Sequence, residues 1–279
     1  MTITHDIEAS LVTLVRAVAK AEILPRFRRL GDLDVSVKSG PEDLVTEADL
    51  HAEAAIAAGV RTLLPDALIV GEEAAETEPG LLAQLGDAPL SVIIDPVDGT
   101  WNFAKGLTTF GVILAVAMRG ETVFGLLYDP VMDDWIVTRR GEGTWYVSAT
   151  GDRRRLMLDG SDATDLTGMV PLFYFPTKAR LTLAGDLPGF RRIWSVRCSC
   201  HEYRTLAFGG ADFTLSTALK PWDHAAGALA IVEAGGAVGL LDGRDYRASI
   251  TSGGYLVTAR SAVILARVRE RMVPILAES

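Results

Sequence analysis

The stretch from Val92 to Phe103, VIIDPVDGTWNF, decides how the fold is interpreted, because an apolar run ends there in two closely spaced carboxylates. The apolar residues at its start are typical of a buried strand. Pro96 fixes its own φ and removes a backbone donor, so the chain is expected to turn and to bring Asp95 and Asp98 toward one point. Taken alone, the same residues would also fit a turn with two capping acids.

The residues that follow Asp98 are suited to bind an anion. Gly99 permits a close approach of the backbone, and the amides of Gly99 and Thr100 can open a helix N-terminus, where phosphate binds readily. Carboxylates beside a phosphate would repel it unless divalent cations lie between them. The carbonyl of Val97 can add a further oxygen ligand, and hard oxygen ligands without His or Cys favour Mg²⁺ or Mn²⁺ over zinc.

Acidic residues also occur in the segments ADL (48–50), GEE (71–73) and PWD (221–223). Each has a simpler explanation when it is taken alone: Asp223 could cap a helix, and the two glutamates could be solvated surface. Their combination with DPVD favours two-metal phosphoryl chemistry, in which one ion activates water and both ions clamp the reacting oxygens. The absence of P-loop and Gly-x-Gly-x-x-Gly motifs leaves hydrolysis of a phosphate monoester as the simplest reaction.

The composition narrows the class of protein. The chain has 279 residues, of which 49% are hydrophobic and 23% charged, as in globular proteins of roughly two lobes. Its net charge of −9 argues against a nucleic-acid-binding surface. Cys198 and Cys200 are poorly placed for a disulfide, so we expect free thiols in a reducing cytoplasm. No signal peptide and no apolar run of about 18 residues occur, so no membrane association is expected.

Apolar periodicity and Gly/Pro positions predict mixed helices and strands. A polar stretch over 35–50 is expected to be an exposed loop. We expect lobes over 1–149 and 150–279, with most metal ligands in the first and Asp223 with the specificity residues in the second. The predicted elements are helices over 6–24, 46–64 and 261–273, strands near 66–73 and 90–100, an antiparallel meander over 111–147, and alternating strands and helices after residue 151.

Four motifs, taken together, resemble the inositol monophosphatase family of Mg²⁺-dependent phosphatases. They are DLVTEAD (43–49), GEE (71–73), DPVDGTWNF (95–103) and WDHAAGALAIVEAGG (222–236), in the family's order and spread over nearly the whole chain. The resemblance implies an α+β fold, a layered α/β/α/β/α sandwich of the inositol monophosphatase and fructose-1,6-bisphosphatase type. It also implies a homodimer, two or three bound Mg²⁺ ions and sensitivity to lithium.

The resemblance also implies roles for individual residues. Thr100 and Asp49 would orient and deprotonate the attacking water, with Glu73 supporting them. Gly99 and Thr100 would bind phosphate through their amides. Lys38 would close over the metal site, although an ordinary surface lysine is an equally good interpretation. The implied metal ligands, with Asp95 bridging two ions, are Glu72, Asp95, the Val97 carbonyl, Asp98 and Asp223.

The chain departs from inositol-specific relatives where they contact the sugar. Their Gly-Ser/Thr-Ala-Ala segment aligns with RCSC at 197–200, and Ser216 replaces an acidic residue, so a hydrogen-bond acceptor for a polyol is missing. Arg197, Arg204 and Lys220 could receive a second anionic group, or could form ordinary ion pairs. The segment HEYR (201–204) receives no role. The candidate substrate-binding residues are Asp98, Arg197, Ser199, Cys200, Ser216 and Lys220.

The sequence therefore predicts a phosphatase that acts on a small phosphate monoester of a polyol or a sugar. The same chemistry on fructose 1,6-bisphosphate, 3′-phosphoadenosine 5′-phosphate or histidinol phosphate stays open. A non-catalytic regulatory protein on this scaffold is the alternative from another class. Loss of metal ligands would favour that alternative, whereas here every expected acid is present.

Overall fold

The computed structural model describes residues 3–31, 34–40, 43–160 and 162–277. In these residues, a π-helical segment (Ala19–Ile23) continues the first helix, and 3₁₀ turns occur at Leu172–Tyr174 and Leu187–Gly189. The helices are α1 (His5–Val18), α2 (Glu47–Leu63), α3 (Glu72–Thr77), α4 (Gly80–Gln84), α5 (Thr100–Ala104), α6 (Thr177–Asp186), α7 (Ser199–Ala207), α8 (Pro221–Glu233) and α9 (Ala262–Ala277).

In the described part of the chain, most strands belong to two separate sheets, and β1 pairs with β2 alone. The strands are β1 (Val35–Gly40), β2 (Asp43–Thr46), β3 (Leu68–Gly71), β4 (Ser91–Asp98), β5 (Gly111–Met118), β6 (Glu121–Asp129), β7 (Asp134–Arg139), β8 (Gly143–Val147), β9 (Arg153–Leu156), β10 (Thr167–Met169), β11 (Arg192–Trp194), β12 (Phe213–Ser216), β13 (Ala237–Leu240) and β14 (Leu256–Ala259).

The larger sheet has the strand order β3-β4-β5-β6-β7-β8-β9. Its first pair is parallel and all others are antiparallel, as the short connections after residue 111 predict. The smaller sheet has the order β11-β10-β12-β14-β13. There β10 runs parallel to both of its neighbours, whereas β14 is antiparallel to β12 and β13.

These sheets alternate with helices in five layers, α/β/α/β/α. Helices α1 and α2 cover one face of the larger sheet and contribute to one apolar core. Helices α7 and α8 pack between the two sheets and build a second core. Helices α6 and α9 cover the far face of the smaller sheet. The α+β layered sandwich that the resemblance implies is therefore confirmed.

An irregularity in β4 places two carboxylates on the same face of the larger sheet. Asp95 pairs with Ile113 and Asp98 with Gly111, so three steps along β4 match two along β5. In a regular strand, residues three apart point to opposite faces. The extra residue restores the shared face, toward α7 and α8. The chain therefore does not leave the sheet at Pro96, as the sequence suggests, but continues in β4 to Asp98.

The structure differs from the sequence-based expectation in two further places. The polar stretch after residue 35 is not a loop, because β1 and β2 form an antiparallel hairpin. Strand β9 lies beyond the expected boundary at 149/150 and still pairs with β8 in the larger sheet. Among the described residues, no helix combines the length and the apolar character needed to cross a membrane.

Candidate active site

Three carboxylates converge where β4 ends against α8. Asp95 and Asp98 come from β4, and Asp223 lies in the first turn of α8. Their ligating oxygens lie within 4.8 Å of one another. Asp95 is 1% exposed and Asp98 6%. Helix α8 is apolar almost all round and lies between the sheets, so its N-terminus is fixed at this edge of the larger sheet.

This cluster is electrostatically unfavourable without a cation. Burial raises the pKa of Asp98 to about 7, and the nearby Asp223 adds to the shift. Burial also raises the pKa of Asp95 well above its usual value, with repulsion from Glu72 as the next cause. Among the described residues, no donor reaches the buried Oδ1 of Asp95. Buried acids around an unsatisfied oxygen fit a hard divalent cation such as Mg²⁺.

The N-terminus of α7 orients Asp98. The Ser199 N–H donates to Asp98 Oδ1 over 3.1 Å, and the Cys200 N–H donates to Asp98 Oδ2. The Cys198 thiol donates to the same Oδ2 over 3.0 Å. These three donors favour the ionised carboxylate, against the effect of burial. The contribution of the Cys198 thiol was not predicted from the sequence.

The predicted pair of Asp49 and Thr100 is brought together. The Thr100 hydroxyl lies 3.1 Å from Asp49 Oδ1 and 3.1 Å from the Val97 carbonyl oxygen. Asp49 is fully buried in the first turn of α2, where its Oδ2 accepts the Thr46 N–H over 2.8 Å in a capping box. Burial raises the pKa of Asp49 to about 6. A carboxyl group with such a pKa is suited to exchange protons near neutrality.

The turn at Gly99, where the sequence predicts an anion site, requires a glycine. Gly99 has φ 87°, and a Cβ there would lie 3.0 Å from the Thr109 carbonyl oxygen, so a larger residue would be strained. The Asn102 amide fixes the turn by donating to the carbonyls of Thr109 (2.7 Å) and Val196 (2.8 Å). Asn102 thereby joins α5 to the segment before α7. Nothing in the sequence indicated this role.

Lys38 lies among three glutamates. Its Nζ is 3.1 Å from Glu72 Oε1, 2.7 Å from Glu73 Oε1 and 3.2 Å from Glu76 Oε1. The Lys38 side chain is 8% exposed, so it is not an ordinary surface lysine. Burial raises the pKa of Glu73 to about 7, and Lys38 opposes that shift. Lys38 therefore lies beside Glu72, a proposed metal ligand, and Glu73 contacts Lys38 directly.

Glu53 is a supporting residue that the sequence did not reveal. Its carboxylate accepts the amides of Glu73 (2.8 Å) and Ala74 (2.9 Å) at the N-terminus of α3. A Cβ at Gly71 would overlap this carboxylate, which explains the glycine of GEE. Glu53 therefore holds α3 where its first residue, Glu72, faces the carboxylates of β4. In the sequence, this role of Glu53 is signalled only by Gly71, which directly precedes the acids Glu72 and Glu73.

A cavity of about 430 Å³ opens beside the carboxylates, a size that suits a small molecule. Cys200 is not brought to it, because its thiol lies in the core, 3.7 Å from the Tyr128 carbonyl oxygen. The other predicted substrate-binding residues line it. Besides Glu72, Asp95 and Asp223, the lining includes Asp98, Arg197, Ser199, Ser216 and Lys220.

The segment HEYR secures α7 to its neighbours. His201 Nε2 is 3.0 Å from the Phe110 carbonyl oxygen. The Tyr203 hydroxyl is 3.1 Å from His224 Nδ1. Arg204 is buried, donates to the Leu127 carbonyl oxygen over 3.0 Å and pairs with Asp134. Arg204 therefore forms a structural ion pair and does not line the cavity, which excludes it as a receiver of a second anionic group.

Comparison with known proteins agrees with the family resemblance of the four sequence motifs. A family model described as the inositol monophosphatase family matches residues 5–273. The protein named Nus factor SuhB from Pasteurella multocida (strain Pm70) is 34% identical over 263 residues, which cover 90% of this chain and 91% of the relative.

Solved structures show the same fold. An IMPase of Thermotoga maritima has a TM-score of 0.80 and 25% identity, with 98% of this chain and 99% of that chain covered. The extragenic suppressor protein suhB from Bartonella henselae has a TM-score of 0.78 and 24% identity, with 96% and 98% covered. At these scores the layered sandwich is shared over nearly the full length of the chains.

Proposed function

Because the chain belongs to the inositol monophosphatase family, we propose that it is a Mg²⁺-dependent phosphatase that hydrolyses a small phosphate monoester. The observation that carries this proposal is the convergence of Asp95, Asp98 and Asp223 on one point, with their oxygens within 4.8 Å. Next to this point lie a glycine turn suited to phosphate and a part-buried Thr100–Asp49 pair. The carboxylates would hold the metal ions that activate water, the turn would bind phosphate, and the Thr100–Asp49 pair would accept the proton of the water.

Two or three Mg²⁺ ions, replaceable by Mn²⁺, would bind this carboxylate set. Glu72, Asp95 and the Val97 carbonyl oxygen would hold one ion. Asp95, Asp98 and Asp223 would hold another, with the buried Asp95 shared between the two. When bound, the ions supply positive charge to the phosphoryl oxygens and lower the pKa of water. The unsatisfied Oδ1 of Asp95 supports this assignment.

The residues of this chain would position the water and the phosphate. The attacking water would donate to Thr100 Oγ1, whose own proton is passed to Asp49 Oδ1 at 3.1 Å. The amides of Gly99 and Thr100 would donate to phosphate oxygens at the start of α5. Lys38 would balance the charge of the glutamates of α3, with Glu73 holding it at 2.7 Å. The released alcohol would lie toward Ser199, Ser216 and the basic residues.

Within this chemistry the substrate is an inositol, polyol or sugar phosphate. Fructose 1,6-bisphosphate, 3′-phosphoadenosine 5′-phosphate and histidinol phosphate are alternatives that the same carboxylate set would serve. We further propose a homodimer and inhibition by Li⁺.

A regulatory role is a second candidate, favoured by the relatives that carry the name Nus factor SuhB. A purely regulatory protein would need no metal ligands, whereas the carboxylate oxygens here remain within 4.8 Å of one another. A phosphatase assay separates the two candidates, because only an enzyme would lose its function when the carboxylates are replaced.

The test is release of inorganic phosphate from a panel of phosphate monoesters, with and without Mg²⁺. We expect activity that needs Mg²⁺, falls by roughly 10³-fold or more in Asp98→Asn, and is inhibited by added Li⁺. Asp242→Asn is the matched control, because Asp242 is an exposed aspartate paired with Arg244. Absence of Mg²⁺-dependent hydrolysis on every substrate, or equal activity in the two variants, would refute the enzyme and favour the regulatory candidate.

A further inference from the structure

Glu202 is the acid of the segment HEYR, and it lines the cavity beside the carboxylates. It follows Ser199, the first residue of α7, by three positions, and residues three apart share a face of a helix. Ser199 lines the same cavity. Glu202 is only 8% exposed, and no cation among the described residues lowers its pKa. A nearly buried acid without a cationic partner depends on hydrogen-bond donors.

The carboxylate of Glu202 can accept more hydrogen bonds than the protein supplies. A carboxylate has about four acceptor positions. Among the described residues, two donors use them, the Ser195 hydroxyl at 3.3 Å and the Val196 amide. Ser195 is itself a lining residue, so this contact lies at the cavity wall. Acceptor positions therefore remain for a donor that enters the cavity.

Glu202 lies close to the proposed metal ligands. Burial raises the pKa of Glu202 to about 7, and repulsion from Asp98 is the next cause. Asp98 also accepts the N–H of Ser199 over 3.1 Å, which ties this ligand to the helix that carries Glu202. The alcohol part of a phosphate ester bound at the metal ligands would therefore lie beside this face of α7.

Hydroxyl groups surround Glu202 in the cavity, where the lining includes Ser195, Ser199, Ser216 and Thr217. Hydroxyls both donate and accept, so they suit neutral hydroxyls of a ligand. Ser216, at the end of β12, stands where inositol-specific relatives carry an acid. Glu202 brings a carboxylate to the same cavity from α7. The acceptor that the sequence counts as missing is therefore present on another element.

We propose that Glu202 is a specificity-determining residue that accepts a hydrogen bond from a free hydroxyl of the leaving alcohol. The inference rests on the proposed phosphatase activity and adds the residue that selects polyhydroxylated alcohols over alcohols without further hydroxyls. An alcohol without a free hydroxyl covers the Glu202 carboxylate and gives it no donor in place of water. Such an unmet acceptor is a strong source of discrimination between substrates.

The test compares matched phosphate monoesters with Mg²⁺ present. myo-Inositol 1-phosphate against cyclohexyl phosphate keeps the ring and removes its free hydroxyls. Glycerol 2-phosphate against isopropyl phosphate does the same for an open chain. We expect kcat/KM to be about 10-fold or more higher for the hydroxylated member of at least one pair. Hydroxyls also improve the leaving group, so the deciding quantity is the change of this ratio between the parent and its variants.

Glu202→Ala removes the acceptor, and we expect the ratio to fall by about 10-fold, mainly through the hydroxylated substrate. Glu202→Gln keeps the shape and one acceptor oxygen, so it should lose less, about 3-fold. Glu8→Ala is the matched control, since Glu8 has the same 8% exposure and pairs with Arg139 outside this cavity. The control should lower the thermal midpoint and keep the full ratio.

Three outcomes would overturn the inference. They are a ratio near 1 for both pairs in the parent, a ratio that both Glu202 variants leave unchanged, and an equal fall of the ratio in Glu8→Ala. A lower thermal midpoint with an unchanged ratio would assign Glu202 the structural role of holding the turn at Ser195 and Val196. If Glu202→Ala does not fold, Glu202→Gln decides alone.

Failure of the proposed function gives a different result. In that case no phosphate monoester of the panel is hydrolysed in a Mg²⁺-dependent way. Mg²⁺-dependent hydrolysis of other panel substrates, with neither member of either pair turned over, would leave the phosphatase standing and overturn the role of Glu202.

Discussion

The Thr100 hydroxyl lies 3.1 Å from Asp49 Oδ1 although 51 positions separate the two residues in the chain. One residue begins α5 and the other lies in the first turn of α2. Asp49 is held by a capping box, and Thr100 by the turn at Gly99, so both side chains have defined orientations. This arrangement, next to the carboxylates of β4, is the basis for the proposed proton path from an attacking water.

Replacing Thr100 tests that path. Thr100→Ala removes the hydroxyl, and we expect kcat to fall by about 10²-fold or more with a smaller change in KM, because the lost contact acts on the reacting water. Phosphate release under saturating Mg²⁺ measures this effect. Thr100→Ser keeps the hydroxyl and is expected to stay within about 10-fold of the parent. Equal losses in the two variants would contradict the proton path.

Replacing Asp95 tests whether the carboxylate cluster is a metal site. Asp95→Asn removes a buried charge among like charges, so the metal-free protein should become more stable while activity is lost. Mn²⁺ at about 100 times its Kd should stabilise the parent by about 2.7 kcal/mol and the variant by much less. Urea unfolding with and without Mn²⁺ measures both effects. Equal stabilisation of parent and variant by Mn²⁺ would argue against Asp95 as a ligand.

When no Mg²⁺ is bound, we expect the Lys38 ammonium group to balance the negative charge of the glutamates around it. Lys38→Met leaves Glu72, Glu73 and Glu76 without their ammonium partner, and we expect the metal-free protein to lose about 3 kcal/mol of stability. Mg²⁺ should reduce this loss because it neutralises part of the same charge. Urea unfolding in chelator and in Mg²⁺ provides the comparison.

Lys20→Met is the matched control for Lys38, since Lys20 is 55% exposed and pairs with Asp133, its one acidic partner among the described residues. Its effect should be at most about 1 kcal/mol and independent of Mg²⁺. A loss in Lys38→Met that is the same with and without Mg²⁺ would show that the lysine is not linked to the metal site.

Replacing Arg204 tests whether the segment HEYR (201–204) secures α7 to its neighbours. Arg204→Met leaves the buried Asp134 without its cationic partner, although the Tyr146 hydroxyl still donates to it over 2.9 Å, and we expect a loss of about 3–5 kcal/mol. Adding Asp134→Leu should recover much of that loss, because no uncompensated charge then remains. Urea unfolding of the single and double variants measures the coupling. A loss below about 1 kcal/mol in the single variant would mean that the ion pair does not secure α7.

The Asp133 carboxyl group, which lies outside the candidate active site, should make the stability of the folded protein depend on pH. Hydrogen bonds from Arg16 (2.7 Å) hold the pKa of Asp133 well below its usual value of 3.8. A carboxyl group with a lowered pKa in the folded state contributes stability above its unfolded pKa, and this stability is lost as the pH falls below that value. The parent should therefore lose stability faster than Asp133→Asn below about pH 4.

Asparagine is the appropriate replacement, because Asp133 has φ 52° and asparagine tolerates that region. At pH 7 we expect the variant to be about 1–3 kcal/mol less stable, since hydrogen bonds to a charged group are lost. Urea midpoints measured between pH 7 and pH 2 test this. A difference between parent and variant that stays constant over that range would contradict the assigned role of Asp133.

Through the family that they resemble, the four quoted motifs predicted the layered fold, and their acids are the ones that the structure brings together. Hydrophobic runs and Gly/Pro positions indicate elements because they are local properties, and a spacing such as DPVDGT carries its own turn chemistry. The hairpin at 35–46 was missed for a related reason. Val35 and Val37 alternate with polar residues, but the run is too short to stand out from the polar residues around it. Among the described residues, the two strands pair only with each other.

The sequence alone determined which residues could supply ligands and which family the motifs resemble, because both depend on residue type and short spacing. Only the tertiary structure decided that a bulge in β4 turns Asp95 and Asp98 to one face, that Glu53 holds α3 in place, and that Arg204 is buried while Arg197 lines the cavity. These facts depend on contacts between segments distant in the chain, whose packing no local pattern encodes.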